Sequence, residues 1–146
     1  MNTKNFFGKY ISLFLILAIF SCSAFLVSCA DKTENISVEK AEGSLVISVG
    51  EDELSDGDIS LLDHMKKLEE KGEFTFTVSD GMITSIDGVR NTDKYWMLYT
   101  SDTDNSNSAW GTVTHDGNTY SSASCGAKEL ILKPDHTYIW LYKAVN

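Results

Sequence analysis

Residues 74–88 read FTFTVSDGMITSIDG. Phe74, Phe76 and Val78 alternate with Thr75 and Thr77, the period of two expected of a half-buried strand with one apolar face. The run breaks at Asp80-Gly81, a pair suited to the two-residue turn of a hairpin because both residues tolerate positive φ. Met82 to Ile86 then returns and stops at a second such pair, Asp87-Gly88. A stretch that alternates, reverses within two residues and comes back is an antiparallel hairpin, so the fold is expected to rest on an antiparallel sheet.

Upstream, Ile59 to Lys71 changes period: Leu61, Met65 and Leu68 recur at i, i+4 and i+7 with Leu62 alongside. Asp58 or Ser60 is available as N-cap and Gly72 as terminator, so this is the one clear helix. Before it, Ser44 to Val49 (SLVISV) reads as a strand ending at Gly50, and the acidic stretch Glu51 to Asp58 as a loop. Downstream, Tyr95 to Thr100 (YWMLYT) is the most β-prone stretch and is expected in the sheet centre. A polar loop over Ser101 to Ser108 follows, then short strands near Trp110–Thr114 and Thr119–Ser122 around Asp116-Gly117. Glu129 to Leu132 reads as a short strand halted by Lys133-Pro134-Asp135. Thr137 to Val145 closes the chain with Tyr138, Trp140 and Tyr142 on one face and Ile139 and Leu141 on the other. The expectation is α+β: a single small domain over residues 44–146, with one helix on a mostly antiparallel sheet.

The first 28 residues have a different character. Lys4 and Lys9 precede an almost wholly apolar run from Tyr10 to Val27, the order of an export signal. That length also suffices for a membrane span, so the junction decides. Leu26-Val27-Ser28-Cys29 resembles the bacterial lipobox, which places cleavage before Cys29 and a lipid on its sulfur. Ile19-Phe20-Ser21-Cys22 is a weaker match, because bulky Phe20 sits beside the cut and the apolar run continues past it. The polar, aperiodic Ala30 to Gly43 reads as part of a linker over residues 29–43, although Ile36 and Val38 could supply a short edge strand. A lipoprotein held at the cell membrane on its extracytoplasmic side is the expected location.

The formal charge is −9, and loss of the leader with its two lysines and no acid makes it −11. With no basic stripe, nucleic acid is an improbable partner. The composition, 42% hydrophobic and 11% aromatic, is enough to build a core. Cys22 and Cys29 belong to the leader and its junction, so Cys125 has no partner for a disulfide within the domain and reads as an inert, partly buried thiol. Catalytic motifs, zinc spacings and phosphate-binding glycine loops are missing from the sequence, so neither enzyme activity nor a cofactor is expected. Asp102, Asp104 and Ser106 have the spacing of the first calcium-loop ligands, but Asn107 and Val113 stand where glycine and glutamate are required. A solvated, flexible loop is the expectation there, and no metal site.

The aromatic residues offer the one candidate surface. Most of them serve a core, since one aromatic face of a sheet packs beneath a helix. Trp110 follows a polar loop and is the leading ligand-binding candidate, with Tyr95 and Trp96 next as strand-entry residues.

Several fragments in order give a resemblance: ISLLDHMKKL at 59–68, GMITSIDG at 81–88, KYWMLY at 94–99, Trp110-Gly111 and YIWLY at 138–142. Together they resemble the transcobalamin C-terminal-like domain, a domain of unknown function on bacterial exported lipoproteins and surface proteins. The resemblance spans about Ser44 to Asn146 and implies a β-grasp-like sheet crossed by a helix. In animal vitamin B12 carriers such a domain closes over a corrin ring held by a larger helical domain, and no counterpart of that helical domain is recognised here. The resemblance therefore implies a tethered binding module for a corrinoid or another small molecule. The alternative is a structural domain that docks a surface protein or a glycan.

Overall fold

The computed structural model describes residues 36–50 and 58–145. The leader, Cys29, the first part of the expected linker (30–35), the acidic stretch 51–57 and Asn146 lie outside the described residues.

The hairpin at residues 74–88 forms, although its first strand starts later than the alternation suggests. β3 (Phe76–Ser79) pairs with β4 (Met82–Ile86), and β4 pairs with the short β5 (Val89–Arg90) to complete a three-stranded sheet. At both turns the first residue and the following glycine have positive φ: Asp80 51° and Gly81 81°, Asp87 46° and Gly88 79°. Two consecutive positive φ values define the turn whose twist matches that of the flanking strands. Phe74 falls outside the ladder but is buried, and Thr75 is held by the Asp87 carboxylate, which accepts its N–H at 2.8 Å.

The larger sheet is built from β1 (Ile36–Ala41), β2 (Ser44–Val49), β6 (Lys94–Thr100), β7 (Ser106–His115), β8 (Asn118–Ala123) and β9 (Thr137–Ala144). Their order is β1-β2-β9-β6-β8-β7 and every pairing is antiparallel. β6 is interior, as its aromatic content suggests. The last residues of the expected linker are the edge strand β1, paired along its whole length from Ile36↔Val49 to Ala41↔Ser44.

The helix α1 (Leu61–Glu70) packs its stripe of Leu61, Leu62, Met65 and Leu68 onto one face of this sheet. Leu45, Ile47, Tyr138 and Trp140 meet it from β2 and β9. Ser60 is the N-cap: its hydroxyl accepts from Asp63 N–H at 3.1 Å and donates to the Asp63 carboxylate at 2.9 Å. The C-terminus closes at Gly72, φ 80°, with Glu73 N–H reaching Leu68 O and Gly72 N–H reaching Glu69 O. The opposite sheet face carries a second, smaller cluster of Val46, Tyr99, Tyr120 and Ile139. Both clusters are made of residues between Ile36 and Tyr142, so the segment after Ala30 carries its own core.

Two expectations are corrected. Glu129 to Leu132 makes no strand, contributing only an isolated bridge between Ser60 and Ile131. One of its carbonyls, and one just before it, are used by the start of the helix: Leu61 N–H donates to Leu130 O at 2.8 Å and Leu62 N–H to Ala127 O at 2.9 Å. The first N–H groups of a helix lack partners of their own, and this segment supplies them while burying Leu130 and Leu132. The stretch Ser101 to Ser108 is likewise no solvated loop. A short 3-10 turn spans Thr103–Asn105, β7 begins at Ser106, and Asp102 is 1% exposed.

Candidate functional site

β6 pairs with β9 along its whole length, from Lys94↔Ala144 to Thr100↔Tyr138. On its other side it meets β8 in only two register pairs, Tyr99↔Ser122 and Thr100↔Ser121. Below those pairs the strands part, and a cavity of about 800 Å³ occupies the gap. Because the gap lies between strands, residues from both faces of β6 reach it: Trp96 and Leu98 from one, Tyr95 and Met97 from the other. The far wall is the segment Ala123 to Ala127, and Gly81 to Thr84 of the small sheet forms the remaining side.

Asn91 fixes the small sheet against β6. Its amide donates to Ile83 O at 3.2 Å, its carbonyl oxygen accepts Trp96 N–H at 3.1 Å, and its own N–H reaches Thr84 O at 2.9 Å. The Trp96 indole N–H donates to Val89 O at 2.8 Å, and its ring packs on Tyr142 with centroids 5.4 Å apart. Trp96 is thus 7% exposed and held rigidly in the wall.

A long bulge places Trp110. Asn107 pairs with Ser122 and Thr112 with Ser121, so Ser108 to Gly111 have no opposite residues on β8. Gly111 takes φ 78°, open to glycine at little cost. The bulge is anchored through its backbone: Trp110 N–H donates to the Ser122 hydroxyl at 3.2 Å, and Trp110 O accepts from the Tyr99 hydroxyl at 3.0 Å. Main chain is therefore fixed while the indole, 51% exposed, is free to stand at the cavity mouth.

The three candidate ligand-binding residues, Trp110, Tyr95 and Trp96, all border this cavity, and Trp140 makes the third tryptophan in its wall. The chain has three tryptophans in total, so all of them meet here. Met82, Asn91 and Ser122 were not singled out in the sequence. Met82 directly follows a hairpin turn, and Asn91 and Ser122 read there as ordinary polar residues whose partners are remote in sequence.

Among the described residues no Asp, Glu, Lys, Arg or His lines the cavity. Cys125 does, and burial, with Glu129 and Asp102 nearby, pushes its thiol above the ordinary range despite a hydrogen bond with Ser124. The described wall is therefore uncharged at neutral pH.

The calcium-like spacing at Asp102 and Asp104 is used otherwise. Asp102 accepts from Asp104 N–H, the Asn105 amide and the Lys133 ammonium, at 3.1, 2.7 and 2.8 Å. Lys133 also reaches Asp104 at 2.8 Å, so one cation takes the place of an ion. Glu39, His115 and Asp116 bring one ligand atom each within 4.8 Å of one another, but Glu39 and Asp116 are exposed and pair with His115 at 3.6 and 3.5 Å. Among the described residues no helix is long and apolar enough to cross a membrane, and Cys29 lies outside them. No family model, no curated protein and no solved structure matches this chain.

Proposed function

We propose that the chain is a membrane-anchored extracytoplasmic binding module that captures a small molecule in the cavity beside β6. One observation carries this reading. Six large apolar side chains stand exposed among the described residues, and four of them, Met82, Tyr95, Trp110 and Val145, border this one cavity. A contiguous apolar rim around a concavity of this size is the usual form of a small-molecule site. A corrinoid is the first candidate, and that choice rests on the resemblance to the transcobalamin C-terminal-like domain and its β-grasp-like fold. The helix laid on an antiparallel sheet is compatible with it.

Docking of a surface protein by strand addition would need a flat, open edge. β1 carries exposed charges on both of its faces, Glu39 on one and Lys40 on the other, and β7 is interrupted by its bulge, so neither edge of the large sheet offers a clean template. A glycan would need several free polar groups in the wall, and the cavity is lined mainly by apolar and aromatic residues. Anchoring through a lipid on Cys29 completes the proposal, from the residues Leu26 to Cys29.

Calorimetric titration of cobalamin and cobinamide into the chain from Ala30 onward tests the corrinoid reading, with Trp110→Ala alongside. Saturable binding that weakens in the variant is expected. No heat and no absorbance change at high micromolar ligand would remove corrinoids from consideration. For the anchor, Cys29→Ala should abolish palmitate labelling in the producing cell; persistent labelling would overturn it.

A further inference from the structure

One rung of the large sheet is missing where the cavity lies. Along a strand, main-chain groups point alternately to its two sides. Ser101 N–H, just past β6, donates to Thr137 O of β9, whereas Trp96 N–H donates to the Asn91 amide oxygen on the opposite side. The even-numbered residues of β6 therefore face away from β9. On that side Thr92 N–H donates to Lys94 O and Asn91 serves Trp96 N–H, while the register with β8 begins only at Tyr99↔Ser122. Between these two coverings Trp96 O and Leu98 N–H point the same way, one acceptor and one donor. No strand stands opposite them, and no turn or side-chain bond reaches either among the described residues. Trp96 to Leu98 on one side of the gap and Ala123 to Cys125 on the other line the cavity, so the open pair points into it.

We propose that the cavity binds a small peptide-like molecule, one extended residue with an apolar side chain and an amide on each side, and that its main chain fills the missing rung of β6. The inference rests on the reading of the cavity as a ligand site and is independent of the choice of a corrinoid. An extended residue flanked by amides presents an N–H and a C=O on one edge, the counterparts of Trp96 O and Leu98 N–H. The length of one residue is set by the ends of the gap. The β8 register closes it beyond Leu98 and the Asn91 side chain closes it before Trp96 O, so a longer strand cannot run on beside β6. The apolar side chain follows from the wall, where Met82, Leu98 and Trp140 stand and the described residues bring no charge to meet an ion.

The test uses N-acetylphenylalanine N-methylamide, two analogues in which one or the other of its N–H groups is replaced by an ester oxygen, and tetralin as an apolar control. Each is titrated into the nitrogen-labelled chain from Ala30 onward, and the backbone amides are followed by nuclear magnetic resonance. In the free chain the Leu98 amide should exchange with solvent about tenfold or more faster than those of Met97 and Tyr99, which face β9. Equal protection of the three would mean that the rung is filled within the chain and would overturn the inference. The diamide should move the Leu98 amide proton downfield and slow its exchange while Met97 and Tyr99 stay unchanged. One ester should bind about two- to tenfold more weakly than the diamide, the range expected of one neutral hydrogen bond, and which one it is gives the direction of the bound residue. A residue added at each end of the diamide should not tighten binding; a gain with each addition would overturn the one-residue limit. If tetralin binds but the diamide is no tighter than either ester and leaves Leu98 unmoved, the peptide assignment falls and the cavity reading stands. Failure of tetralin and the diamide alike to bind at millimolar concentration would overturn the cavity reading itself, and this inference with it.

Discussion

The Tyr99 hydroxyl donates to the backbone carbonyl of Trp110 at 3.0 Å, tying the interior of the central strand to the bulge of the edge strand. Tyr99 is wholly buried in the smaller core cluster, so its ring is positioned by packing and its hydroxyl acts on the bulge from a fixed point. Tyr99→Phe keeps the ring and removes only this bond. The expected cost is about 1 kcal/mol of stability, read as a lower denaturant midpoint at unchanged slope. The amides of Ser108 to Gly111 should exchange faster with solvent while those of β9 keep their protection. Uniform loss of protection across the sheet would mean that Tyr99 serves the core and not the bulge.

Asn91 joins two sheets through one side chain. Asn91→Ala removes the bonds to Ile83 O and Trp96 N–H and leaves both groups without this partner in a partly buried place. A loss of about 2 kcal/mol is expected from two such groups. Asn91→Asp keeps the acceptor for Trp96 N–H but replaces the donor to Ile83 O with a negative charge. It should therefore recover little of the loss at neutral pH and more at acid pH, once the carboxyl is protonated. Equal recovery at both values would place the role of Asn91 in its acceptor alone.

The corner that holds β7 in place should fail in acid. Burial alone would raise the Asp102 carboxyl, but the Lys133 ammonium, the Asn105 amide and Asp104 N–H outweigh it and hold it below the ordinary carboxylate range. Since the folded value lies below the unfolded one, the stability it contributes is fully present above the unfolded value, near 4, and is lost as pH falls through the folded value. Lys133 is displaced upward by the same contacts, so its contribution is complete below the ordinary lysine value and lost only in strong alkali. Asp102→Asn should cost about 2 kcal/mol at pH 7 and flatten the decline in melting temperature below pH 4. An unchanged acid slope in the variant would show that other carboxylates govern acid unfolding.

The contrast between Asp102 and the hairpin at residue 80 shows what kind of information the sequence carries. Asp80-Gly81, Asp87-Gly88 and Asp116-Gly117 act locally: each needs two residues of suitable φ, and all three turns adopt the positive φ values that their dipeptides favour. The helix is equally local, with Ser60, the 61-65-68 stripe and Gly72 within one short stretch. Asp102, by contrast, takes its role from Lys133, 31 residues away, and the expected strand at Glu129 gives a carbonyl to a helix start some 70 residues earlier. Neither relation leaves a periodic trace. The candidate site falls between these cases. Trp110 was distinguishable because it breaks the local pattern, whereas Trp140 sits inside a regular alternation and reads only as core. Its place in the cavity wall emerges from packing, not from spacing.

Cys125 provides a chemical probe of the same wall. Burial first, then the nearby carboxylates of Glu129 and Asp102, raise its thiol above the ordinary range, so little thiolate exists near neutrality. Alkylation by iodoacetamide, in which thiolate sulfur displaces iodide, should therefore run more slowly at pH 8 than with free cysteine. The rate should keep rising with pH beyond the point at which free cysteine levels off. Since Cys125 lines the cavity, a molecule lodged there covers the sulfur, and a saturating binder should slow alkylation severalfold. Glu129→Gln removes one of the charges that disfavour thiolate and should speed the reaction at pH 8 without loss of fold. A rate equal to that of free cysteine and insensitive to Glu129→Gln would mean that the thiol faces open solvent and does not report on the cavity.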